Sequence, residues 1–168
     1  MSYDLNAVIG DFDRLRRGTP GIPEAVVAPL RQRLGLVPVT AGGLTVEASA
    51  FERTLGEWSR GGPVALVEAE FFGGEGYQVA EVWRDGVKVW GPVRDGEFAG
   101  VREEWPINGA LARLGAVSGG ESRDLFREVG LGWERDNEGW ESAGRAARWA
   151  ATYDEWHEEF ERAERQRR

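Results

Sequence analysis

The stretch from Pro63 to Trp90 limits what this chain can fold into more than any other part of it. Pro63 to Phe72, Tyr77 to Arg84 and Val87 to Trp90 are rich in β-branched and aromatic residues and alternate between apolar and polar positions. That period-two pattern belongs to strands with one buried face. Asp85-Gly86, between the second and third segments, is a two-residue hairpin signal, since both residue types tolerate positive φ. Gly73-Gly74-Glu75-Gly76 separates the first two segments and predicts a longer, permissive turn. The three segments together read as an antiparallel meander. A second Asp-Gly pair, Asp95-Gly96, predicts a further hairpin toward Phe98 and Val101.

Pairing the segments assigns side chains to faces. If the glycine turn pairs Phe72 with Tyr77, then Glu70 opposes Val79, Glu68 opposes Glu81 and Leu66 opposes Trp83. The Asp85-Gly86 turn sets Trp83 against Lys88 and Glu81 against Trp90. One face then carries Ala65, Val67, Ala69, Phe71, Ala80, Val82, Val87 and Val89, and should pack on helices. The other carries Glu68, Glu70, Glu81, Tyr77, Trp83, Lys88 and Trp90, acidic and aromatic together. Opposed glutamates destabilise a bare sheet by roughly 0.2–1 kcal/mol per pair, so something beyond the sheet must favour them.

Helical patterns flank the meander. Leu5, Val8, Ile9, Phe12 and Leu15 recur at helical spacing, with Asp4 placed to cap. A second helix is expected from Pro23 to about Leu34, kinked at Pro29. Ala41-Gly42-Gly43 reads as a turn, and Phe51, Leu55 and Trp58 mark a third helix. Ile107, Ala110, Leu111 and Leu114 follow Pro106, then Leu125, Phe126 and Val129. Glu138 to Arg165 reads as a long charged helix, with a frayed tail at about 161–168. The expected architecture is α+β, one domain over residues 1–168. Its centre is a three- to five-stranded antiparallel meander packed on one face by N- and C-terminal helices.

Composition removes several kinds of chemistry. The 168 residues include no cysteine and a single histidine, His157. Disulfides, thiolate metal sites, a cysteine nucleophile and multi-histidine metal centres are thereby excluded, and no cofactor or metal is expected. Met1 to Arg17 lacks a secretory apolar region, and no run of about 18 apolar residues exists to span a bilayer. A cytoplasmic location without a membrane partner is expected. The net charge of −8 and pI near 4.9 oppose broad binding to nucleic acid and suit a basic protein partner. Eight tryptophans need a core or a partner to cover them.

Other motifs read as structural. Gly73 to Gly76 lacks the Gly-Lys-Ser/Thr ending of a phosphate loop and leads into a strand. His157 has Asp154, Glu158 and Glu161 at helical-neighbour spacing, where a solvated charged face is the plainer account than a proton carrier. Trp149, Tyr153, Trp156 and Phe160 form a helical stripe that reads as core or as a docking face.

The acidic–aromatic face is the candidate site. Three readings of it compete: neutralisation by helix arginines or Lys88, a partner surface anchored by aromatics, and a carboxylate catalytic or cation site. The partner-surface reading selects Glu68, Glu70, Glu75, Tyr77, Glu81, Trp83 and Trp90 as the binding residues. The catalytic reading uses Glu68, Glu70 or Glu81 in a hydrolase or cation-dependent enzyme. A structural subunit of a phage-like assembly is a further alternative.

The stretch Glu68 to Gln78 (EAEFFGGEGYQ), with Trp83 and the helix start Trp105-Pro106-Ile107-Asn108, resembles small bacterial proteins, some encoded beside secreted toxins and taken to be immunity factors. The resemblance implies an inhibitor rather than an enzyme; joined to the partner-surface reading, it gives the expectation of a cytoplasmic immunity-type protein whose acidic–aromatic face occludes a basic toxin domain.

Overall fold

A ten-residue segment beside the meander's first strand decides the architecture. A computed structural model describes residues 2–40, 44, 50–120 and 123–168. In it Ser2–Asp11 is not a helix but strand β1, followed by helix α1 (Phe12–Gly18). The apolar spacing from Leu5 to Leu15 merged two elements. Leu5, Ala7 and Ile9 point to one core and Val8 to another, because β1 is an interior strand buried on both faces. Such a strand carries a continuous apolar run that periodicity cannot tell from a helix. Asp11, not Asp4, caps α1, accepting from the Arg14 N–H at 3.0 Å.

The expected second helix is also absent. Ala28–Pro29 is a two-residue strand, β2, and Leu34–Pro38 is β3. Gln32 and Arg33 turn the chain between them with φ of 61° and 63°, and Pro29 is tolerated because β2 is an edge. After helix α2 (Phe51–Ser59) come the meander strands β4 (Val64–Phe72), β5 (Glu75–Arg84) and β6 (Val87–Asp95). Helices α3 (Pro106–Arg113), α4 (Leu125–Glu128), α5 (Asn137–Ala146) and α6 (Tyr153–Gln166) complete the chain. The predicted long C-terminal helix is thus two helices, restarted where the Thr152 hydroxyl accepts from the Glu155 N–H. The tail expected to fray is helical as far as Gln166. The Ala41-Gly42-Gly43 turn lies outside the described residues.

The strands form one antiparallel sheet in the order β2-β3-β1-β4-β5-β6. The α+β class holds, with six strands where three to five were expected. Helices cover both faces rather than one. On the first face, Leu5, Ala7, Ile9, Ala65, Val67, Ala69, Ala80 and Val82 pack against Ile107, Ala110 and Leu111 of α3 and Trp140 of α5. On the second, Val8, Val37, Val64 and Trp83 pack against Phe12, Leu15, Phe51, Leu55 and Tyr153. Among the described residues, no helix is long and apolar enough to cross a membrane.

The β4–β5 turn is tighter than predicted. Gly73 and Gly74 alone make it, with φ of 62° and 87°, so Phe72 pairs with Glu75 and Glu70 with Tyr77. The slip is two residues, one full side-chain period, so every face assignment on β4 and β5 survives. The opposed pair Glu68–Glu81 does not: Glu68 faces Val79 and Glu81 faces Leu66. Register shifts along β5–β6 place Trp90 opposite Val82 instead of Glu81. A one-residue bulge reverses facing beyond it, and Trp90 joins the first core, under the Arg113 guanidinium at 4.3 Å. Val87 and Val89, assigned to the apolar face, are 59% and 53% exposed on this edge strand. Among the described residues no strand follows Asp95-Gly96; the Asp95 carboxylate accepts from the Glu97 and Phe98 N–H groups in a turn.

Candidate functional site

The second sheet face changes chemistry at one level across three strands. Val8 on β1 neighbours Leu66 on β4, and the next positions on this face are Asn6 and Glu68, then Asp4 and Glu70. On β5 the same face runs from Trp83 through Glu81 and Val79 to Tyr77 and Glu75. Apolar residues at one end attract α2 and α1. Polar residues at the other give a helix nothing to bury, and no described helix contributes to it. Among the described residues, half of this face is therefore left open.

The open half centres on Tyr77. Its hydroxyl donates to Glu68 Oε1 at 2.7 Å, with Glu70 Oε2 at 3.3 Å. One phenolic proton serves two carboxylates, and the Tyr77 pKa is pushed up to about 12, first by the Glu68 hydrogen bond and then by burial. The Arg94 guanidinium lies over the ring at 4.1 Å. Asp4 joins from the neighbouring strand, opposite Glu70. Its pKa is raised by desolvation, then by Glu70, Glu68 and Asp136. Strands β1, β4 and β5 thus bring Asp4, Glu68, Glu70, Glu75 and Glu81 to this face, and β6 brings Lys88 and Arg94. Phe72, 77% exposed, stands at the hairpin tip.

Two predicted anchors are placed elsewhere. Trp83 is 8% exposed and belongs to the core beneath α2. Its indole N–H donates to Glu81 at 2.6 Å, and Glu81 also pairs with Lys88 at 3.6 Å. Glu81 therefore satisfies a core indole at the border of the open half. Trp90 lies on the opposite face, for the reason given above. Glu68, Glu70, Glu75 and Tyr77 remain together. Asp4 and Arg94 were not selected from sequence. The alternation of β4 would have pointed to Asp4 only if β1 had been recognised as its neighbour.

The catalytic reading requires a concave pocket holding at least two of Glu68, Glu70 and Glu81. A shallow depression of about 610 Å³ beside Tyr77 is lined by Glu70, Glu75, Tyr77 and Arg94, without Glu68 or Glu81. Among the described residues, no group of three or more histidines, aspartates or glutamates is placed to hold a metal ion.

The Asp4 carboxyl makes a pH prediction. Its folded pKa lies above its unfolded value, so the folded state binds the proton more tightly. Stability from this group is present at low pH and falls as pH rises through the raised carboxyl range. Asp4→Asn should therefore raise the Tm at neutral pH, and the gain should vanish near about pH 3, where carboxyls are protonated. Thermal melts at both pH values check it.

Comparison of the chain with protein-family models, with curated proteins and with solved structures gave no match.

Proposed function

We propose that this protein is a binding module that docks a basic protein surface on the open acidic half of its sheet, acting in the cytoplasm as an immunity-type inhibitor of a toxin. The observation that supports this reading is the meeting of Glu68 and Glu70 at Tyr77, with Asp4 beside Glu70 on the next strand, on a sheet face left without a described helix. Like charges gathered on adjacent strands weaken the isolated fold. A cationic partner relieves that repulsion, so the cost in the free protein becomes affinity in the complex. The carboxylates steer encounter, while the Tyr77 ring and exposed Phe72 supply apolar contact that slows release. Occlusion of a basic active-site surface needs no chemistry from this chain, and the resemblance of Glu68 to Gln78 to small bacterial proteins taken to be immunity factors points the same way.

The test presents the tagged protein to the polypeptides encoded beside its gene. A basic polypeptide should be retained at low ionic strength and released as salt rises, because exposed charges are screened beyond about 10 Å at 0.1 M salt. Retention of no neighbour at any ionic strength would contradict the proposal.

A further inference from the structure

On the other side of the sheet, between the ends of β1, β4 and β5 and the start of α3 and α4, is a second cavity. It holds about 300 Å³ and is lined by Tyr3, Phe71, Gln78, Trp105, Asp124 and Phe126, at the small end of the range of roughly 300–1,000 Å³ for small-molecule sites. Four of the six walls are aromatic. The rings stand at angles: Tyr3 and Phe126 are 5.5 Å apart and tilted by 57°. Phe98 braces the other two, 5.5 Å from Phe71 and edge-on to Trp105 at 4.9 Å. Parallel rings make a slot for a flat molecule, whereas steeply inclined rings make a cage that presents several π-faces to one centre.

The polar walls add charge and direction. Asp124 occupies the N-cap position of α4, yet its side chain does not cap that helix. Instead Oδ1 accepts from Asn108 Nδ2 at 3.0 Å, which holds the carboxylate at the cavity. No basic residue is among the described walls; Arg102 lies over the Trp105 ring at 5.4 Å without lining the cavity. Gln78 is 5% exposed, and its Oε1 accepts from the Ile107 N–H at 3.1 Å. That bond fixes the amide orientation. The side-chain N–H₂ therefore points away from Ile107, and Gln78 forms part of the cavity wall.

We propose that this cavity binds a small alkylated ammonium group that carries an oxygen atom a few bonds away. The aromatic walls and the Asp124 carboxylate hold the cation, which is too weakly hydrated to prefer water over π-faces. The Gln78 amide donates to the oxygen. A free compound such as choline and the side chain of a trimethylated lysine share this chemistry.

Titration of the intact protein decides it, read by tryptophan fluorescence and by the Trp105 indole NMR signal, assigned through Trp105→Phe. The probes are choline, its uncharged isostere 3,3-dimethylbutanol and a peptide bearing trimethyllysine. Choline should bind at least about tenfold more tightly than the isostere, and Asp124→Asn, which keeps an oxygen for Asn108, should remove about tenfold. Phe126→Leu should weaken choline to a similar degree. Tighter binding of the peptide than of choline would support the same site with a protein-borne cation. Equal binding of choline and the isostere, or no response to either choline or the peptide, would overturn the proposal. The comparison of choline with its isostere stands on the unmodified protein even if a variant fails to fold.

Discussion

Trp140→Ala should cost about 3–5 kcal/mol of stability, the range for truncating a large buried aromatic. Trp140 is 1% exposed and packs on the first sheet face with strand residues of the core. It is the main anchor of α5, whose Gly144 lies so close to Val26 that an added Cβ would sit 2.6 Å from a Val26 methyl. With neighbours so close, the helix has little freedom to collapse into the void, so the cavity cost should be near its full value. At about 2–4 °C per kcal/mol for a chain of this size, the Tm should fall by roughly 6–20 °C. Trp140→Phe, which keeps most of the volume, should lose less than half as much. Urea unfolding of both variants measures the difference.

Asn108→Ala is the second large loss expected, about 3 kcal/mol or more. Asn108 is 1% exposed and its amide ties three segments together. It donates to the Arg102 carbonyl and to Asp124 Oδ1, both at 3.0 Å, and accepts from the Phe126 N–H at 2.7 Å. Alanine takes the acceptor from the half-buried Phe126 N–H and a donor from the Asp124 carboxylate, at about 1–3 kcal/mol each, while the Arg102 carbonyl keeps the Trp105 N–H at 3.1 Å. Asn108→Asp makes the mechanism specific. It keeps the acceptor for Phe126, removes both donors and sets a second carboxylate against Asp124. It should be no better than alanine at neutral pH and should recover stability in acid. Tolerance of aspartate at neutral pH would show that the donors carry little of the stability.

Much of this arrangement was legible in the sequence where one physical signal acted alone. The meander strands alternate because one face of each is buried, and Asp85-Gly86 fixed the pairing of Trp83 with Lys88. The β4–β5 faces survived a wrong turn length because the error was a whole side-chain period. What stayed hidden depended on tertiary placement. β1 is apolar on both sides because neighbours on both edges and both faces bury it, and no local pattern marks that. Trp90 changed face through the register shifts of β5–β6, which the alternation does not encode. Trp83 looked like an exposed anchor because α2 returns over one end of the face only.

The same tertiary placement completed the candidate site. Glu68 and Glu70 were visible as unusual acids on a strand, but Asp4 reached them only through the pairing of β1 with β4. Arg94 reached Tyr77 only because β6 runs on to Asp95. A surface assembled from four strands is legible when the pairing is known; turns in the sequence pointed to β4–β5 and β5–β6, and nothing local pointed to β1–β4.

The docking role of the open face is tested most directly by reversing its charge. Glu68→Lys with Glu70→Lys should leave the core intact, since both residues lie outside the two apolar clusters. Binding of the captured basic partner, measured by calorimetry at fixed salt, should weaken at least about hundredfold, because like charges brought together cost several kcal/mol. A folded double variant that binds the partner as tightly as the unmodified protein would contradict the assignment of this face.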